Sequence, residues 1–124
     1  MIRRMSVALT LDAVRSRTKT VTRRHVDTWR SLKAGDRLTL IEKGMGLPKG
    51  AKQVVVAEVE VVNVRVEPIE FIHAERHGTA KEGLGHMTGH EFISFWCESH
   101  GYKNATYDDV IDCRRIEWRY LDAP

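Results

Sequence analysis

Between Arg15 and Arg24 the chain sets five cations, Arg15, Arg17, Lys19, Arg23 and Arg24, among the hydroxyls of Ser16, Thr18, Thr20 and Thr22. Such cations give charge-assisted hydrogen bonds to phosphate, and hydroxyls give neutral ones to the edges of a base or ribose. The same run offers a second chemistry. A threonine hydroxyl becomes a nucleophile when a base takes its proton, and a lysine serves as that base once its pKa is brought down towards neutrality. Arg17, Arg23 and Arg24 are like charges that push Lys19 in this direction, and partial burial adds to the shift. Lys19 and Thr22 are three apart, which on a regular strand places them on opposite sides, so they meet only where the segment turns. A solvated lysine and a β-branched strand residue are the plain structural alternatives.

The elements around this run can be read from pattern. Thr10 to Arg15 opens with a capping threonine and carries Leu11 and Val14 three apart, which predicts a short helix delivering the chain to Lys19. Thr20-Val21-Thr22 resists helix, so the charged run lies on a loop or at the start of a strand. Lys33-Ala34-Gly35-Asp36 is a turn signal before the alternating strand Arg37 to Ile41, and the glycine-rich stretch 44–50 matches no phosphate loop and reads as a hairpin connection. Gln53 to Val66 is a long strand whose apolar parity switches, from Val55, Ala57, Val59 and Val61 to Val62, Val64 and Val66. A bulge near Val61 and Val62 would bury both sets and bend the strand around a small barrel. Pro68 opens an expected helix over Ile69 to Arg76, closed by Gly78. Thr88-Gly89-His90-Glu91 has capping-box spacing and starts a helix with Phe92, Phe95 and Trp96 on one stripe, and Cys113 to Leu121 alternates as a closing strand.

The 124 residues are read as one domain, 1–124, since they suffice for one hydrophobic core. No apolar run is long enough for a membrane span and the N-terminus lacks the apolar core of a secretory signal, so the expected location is cytoplasmic. Residues 1–37 hold ten of the twenty Lys and Arg and three of the seventeen acids, a net +7 against −4 for the remainder. Asymmetry of this kind is expected where one face meets phosphate, and a solvated surface is the alternative. Affinity for single-stranded RNA would then fall with salt, with Arg23 and Arg24 as docking cations.

Other residues with chemical potential point less sharply. Cys97 and Cys113 are too far apart for a CxxC site and read as buried apolar thiols. His73/His77 and His86/His90 are each four apart, as zinc ligands on one helix often are, but Gly78 and the Thr88 cap interrupt both pairs, so no metal is assigned. His86 or His90 could line a cleft near Glu82. Trp29 and Tyr102 could stack on a base, Trp29 beside Arg30 being the better placed, with core packing as the alternative.

Lys19-Thr20-Val21-Thr22-Arg23 resembles the signature of ASCH domains of the PUA-like superfamily, in which a short helix leads into a Lys-Thr-x-Thr-x-Arg-like segment, a Gly-Asp turn and a strand. Lys33 to Leu38 is similar to that turn. The valine-rich strand, Glu82-Gly83-Leu84, the Phe92/Trp96 helix and Ile116-Glu117-Trp118 follow in the family's order over nearly the whole chain. The resemblance implies an α+β fold, a PUA-like small mixed β-barrel flanked by short helices, with a cleft beside the Lys-Thr segment. It implies a nucleoside, nucleotide or single-stranded RNA as ligand, with Arg17, Thr20, Arg23 and Arg24 as contacts beside Trp29, and no cofactor. One branch removes the acetyl group from N4-acetylcytidine; carried across, Lys19 accepts the proton, Thr22 is the nucleophile, and the distant glutamate is Glu82, with Glu75 in reserve. Arg17 departs from the glycine often found two residues before the lysine. A non-catalytic RNA-binding module and a metal-dependent nucleic-acid hydrolase are the competing readings.

Overall fold

Alternating side chains dictate most of the strands. In a computed structural model, which describes residues 2–44, 46–106 and 109–122, they form one sheet in the order β1-β3-β4-β5-β2. The strands are β1 (Ile2–Ser6), β2 (Val21–His25), β3 (Arg37–Ile41), β4 (Val55–Pro68) and β5 (Asp112–Tyr120). β1 runs parallel to β3 and the other pairs are antiparallel. The sheet curls into a half-barrel, and Arg24 of β2 donates from Nη2 to the Ser6 carbonyl at the end of β1 (2.8 Å), joining its two edge strands. β1 was not evident in the sequence, because Arg3 and Arg4 together break the alternation.

The expected parity break falls in β4. Val61 pairs with Trp118 and Asn63 with Glu117, leaving Val62 as the extra residue of a bulge. The bulge does not bury the second valine set: Val62 and Val66 are 46% and 48% exposed, and Val64 alone packs against the core. Val66 lies opposite Arg114, whose guanidinium reaches out to the carbonyls of Val26 and Thr28, so the apolar interior ends at Val64.

β5 divides the core. Ile116, Trp118 and Tyr120 point inward to pack with Met5, Leu38 and Val59, whereas Cys113 lies under the helices with Ile72, Phe92 and Trp96. Both cysteines are buried free thiols, and burial pushes Cys113 up to about 12. The helices are α1 (Leu11–Arg15), α2 (Gly78–Lys81) and α3 (Gly89–Ser99), with 3-10 turns at Ala8–Thr10 and Ile69–His73. An 11-residue helix is marginal alone; burial of Phe92 and Trp96, roughly 2 kcal/mol each, supplies what propensity does not. Its capping box is complete, Thr88 Oγ1 accepting from Glu91 N at 3.1 Å and Glu91 Oε1 from Thr88 N at 2.9 Å.

The helix expected over Ile69 to Arg76 is instead a 3-10 turn to His73, and Gly78 begins α2 rather than following a helix end. A Cβ at Gly78 would come within 2.8 Å of Ile72 Cγ1, so glycine serves close packing there. No helix among the described residues is long and apolar enough to cross a membrane.

Candidate functional site

The chain reaches Lys19 through a tight reversal after α1. Arg17 adopts a left-handed φ of 64°, and the N–H groups of Thr18 and Lys19 both return to the Ala13 carbonyl, at 2.9 and 3.1 Å. This is the turn that lets Lys19 and Thr22 share one cleft. The Lys19 carbonyl is held by two inward side chains of β5, accepting from Trp118 Nε1 at 3.0 Å and Tyr120 Oη at 2.5 Å. Lys19 is only 3% exposed, and its Nζ donates to the Glu82 main-chain carbonyl at 2.5 Å and lies 3.6 Å from Glu82 Oε1. Burial lowers its pKa to about 8 against the opposing pull of the Glu82 charge, and the positive charges of Arg24 and Arg23 act in the same direction as burial.

Glu82 follows α2 and is itself 3% exposed. Gly83 makes its position possible: φ is +83°, and a Cβ there would lie 2.8 Å from Ala13 Cβ and 3.4 Å from Lys19 Cβ. Thr22, in β2, is buried with Oγ1 accepting from Arg24 Nε at 3.2 Å.

Arg23 alternates to the opposite face of β2, beneath the helices. Its guanidinium is fully enclosed and donates to Glu82 Oε2 (2.8 Å), Glu75 Oε1 (2.6 Å) and Glu67 Oε2 (3.3 Å). Glu75 also takes two bonds from Arg115, at 2.9 and 2.8 Å. Burial raises the Glu75 pKa, but the Arg115 hydrogen bonds and the charges of Arg23 and Arg115 outweigh it and hold the carboxyl at about 2. Of the two candidate glutamates, Glu82 meets Lys19, and Glu75 is occupied in neutralising two arginines.

Lys19, Thr22, Arg24 and Glu82 line a cleft of about 230 Å³, faced by Phe92, Phe95, Trp96 and His100 from α3 and its end and rimmed by Leu9. A larger cavity of about 570 Å³ lies on the other side of α3, between His73, His90, Glu98 and Lys103. We place the site in the smaller one, because buried charged groups converge there, whereas the acids, lysine and histidines of the larger cavity are exposed.

Arg17, Thr20 and Trp29 are placed outside the cleft. Arg17 does not line the cleft: it pairs with Asp122, donates to the Val14 carbonyl and lies 5.2 Å over the Tyr120 ring. Thr20 is held by its backbone, N–H to the Lys81 carbonyl and C=O from Trp118 N–H. Trp29 packs against the interior core with Arg3 over its ring at 4.4 Å. Arg23 does line the cleft, but its charge is taken up by three glutamates that the sequence could not reveal. His86 and His90 are absent from the cleft; His90 stacks at a tilt on His73, 4.7 Å between ring centres. Among the described residues no three His, Cys, Asp or Glu side chains gather as a metal site. His100, not anticipated, was within reach: the Phe92, Trp96 stripe continued by four residues lands on it.

A curled five-stranded sheet with short helices and this connectivity is an α+β, PUA-like fold of the ASCH type. The crystal structure of an ASCH domain from Lactobacillus crispatus JV V101 matches with a TM-score of 0.54 and 8% identity, over 96% of this chain and 79% of that one. The crystal structure of hypothetical protein PH0355 matches with a TM-score of 0.64 and 17% identity, over 98% and 100% of the two chains. The solution structure of protein PF0455 from Pyrococcus furiosus gives 0.55 and 20%, over 99% and 100%. No family model matches the chain, and no curated protein matches it in sequence.

Proposed function

We propose that this chain binds a nucleoside-like ligand in the cleft between β2 and α3 and hydrolyses the N-acyl amide of a modified cytidine. The observation that supports it is Lys19, an almost fully buried lysine held against Glu82 in one cleft with the Thr22 hydroxyl. With a pKa of about 8, roughly a tenth of Lys19 is neutral at pH 7, enough to act as a base. In the first step Lys19 Nζ takes the Thr22 hydroxyl proton as Oγ1 bonds to the acyl carbon. Nζ then returns the proton to the ring amine as the C–N bond breaks. Water cleaves the threonine ester, releasing the carboxylic acid and restoring the hydroxyl. Glu82 holds the transient ammonium, and Arg23 holds Glu82.

A panel of acylated and unmodified nucleosides, with products read by mass, tests the reading. N4-acetylcytidine is expected to lose its acetyl group. Lys19→Arg and Thr22→Val should each lower turnover by at least about a hundredfold while ligand still binds, and Thr22→Ser should keep part of the rate. Full activity in Lys19→Arg eliminates the lysine base. A binding-only RNA module gains nothing from Arg23, whose charge faces three carboxylates.

A further inference from the structure

The α3 wall of the cleft ends in a histidine whose ring is held by two contacts with Trp96. The His100 ring lies parallel to the Trp96 indole, 4.0 Å between centres and 15° between planes. Trp96 is itself anchored, its Nε1 donating to the Arg23 carbonyl at 2.8 Å. His100 Nδ1 lies 2.7 Å from the Trp96 carbonyl oxygen. A carbonyl only accepts, so Nδ1 carries the proton, and a neutral ring then leaves Nε2 as a bare acceptor. Burial holds the ring below the usual histidine range despite the Trp96 carbonyl, Arg24 and His25 add to that effect, and Glu82 opposes it. Nε2 takes no hydrogen bond from the described residues, while Lys19, Arg24 and Glu82 already have partners. The cleft, at about 230 Å³, is below the 300–1,000 Å³ typical of drug-sized ligands, and its wall of Phe95 and His100 suits one small planar ring.

Resting on the nucleoside reading above, we propose that His100 selects the ligand: its Nε2 accepts an N–H from the exocyclic nitrogen of the bound ring. The cleft therefore favours aminopyrimidines and their mono-acylated forms over rings whose exocyclic nitrogen bears no hydrogen.

Calorimetric titration of the wild type, His100→Phe and His100→Gln with cytidine and N4,N4-dimethylcytidine tests this. The wild type should prefer cytidine by about tenfold, the worth of one hydrogen bond. His100→Phe, which keeps a flat ring without the acceptor, should bind both ligands equally, and His100→Gln should regain part of the preference through its side-chain carbonyl. A preference that survives in His100→Phe is steric and overturns the assignment, as does its absence from the wild type. If acetyl hydrolysis proceeds normally without that preference, only His100's role fails; if neither ligand binds the wild type, the nucleoside reading fails and His100's role with it. Independently of any variant, nitrogen-15 spectra at neutral pH should show a protonated Nδ1 and a bare Nε2 on His100, and the reverse tautomer overturns the proposal.

Discussion

For Lys19, burial does more than the neighbouring charges to set the pKa. A base works only in its neutral form, so kcat/KM for amide hydrolysis should rise with pH and level off above about 8, as the lysine gives up its proton. A profile flat between pH 6 and 9 would remove Lys19 from the chemistry. That Lys19 and Thr22 share a cleft was legible from residue type and spacing, and Glu82 joined them through the family resemblance, with Glu75 in reserve. Arg17, Arg23 and His100 were not, each for its own reason. A positive φ at Arg17 and the three acids around Arg23 are tertiary facts. His100 continues the Phe92, Trp96 stripe but stands just beyond the last helical residue, Ser99, so its place on the cleft wall depends on where the helix ends.

At the scale of elements, the site depends on how closely α1 and the end of α2 approach one another. Gly83→Ala would place a methyl 2.8 Å from Ala13 Cβ on a backbone at φ +83°, and both faults push Glu82 away from Lys19. The expected cost is about 1–3 kcal/mol of unfolding free energy, read by urea titration, with a larger proportional loss of turnover, since a small displacement at the reacting groups is costly. Unchanged stability would mean that the loop relaxes freely. Strands with clean alternation, β3 and β5, and the Thr88 capping box were plain from sequence. β1 and the turn at Ile69–His73 were not, because the Arg3-Arg4 pair hides the alternation of the first and close packing around Ile72 decides the second.

Across the whole molecule, an ionic layer of Arg23, Arg115, Glu67, Glu75 and Glu82 fills the space between the outer face of the sheet and the helices. Glu75 has a folded-state pKa of about 2, below its ordinary 4.5, so the stability it contributes is present above about pH 4.5 and is lost as pH falls towards 2. Glu75→Gln should therefore be less stable than the wild type at pH 7 and lose stability less steeply across that acid window, as followed by thermal unfolding at stepped pH. Equal slopes for both proteins would show that Glu75 does not set the acid limit.

The clamp on the Lys19 carbonyl also bears on how the protein is made. Its two donors, Trp118 and Tyr120, are translated about a hundred residues after the lysine they fix, on the strand that pairs with both β4 and β2. Through synthesis up to Tyr120, the nascent chain carries the lysine and threonine without the strand that orders them. The Lys19–Thr22 pair is thus brought together only as the sheet is completed.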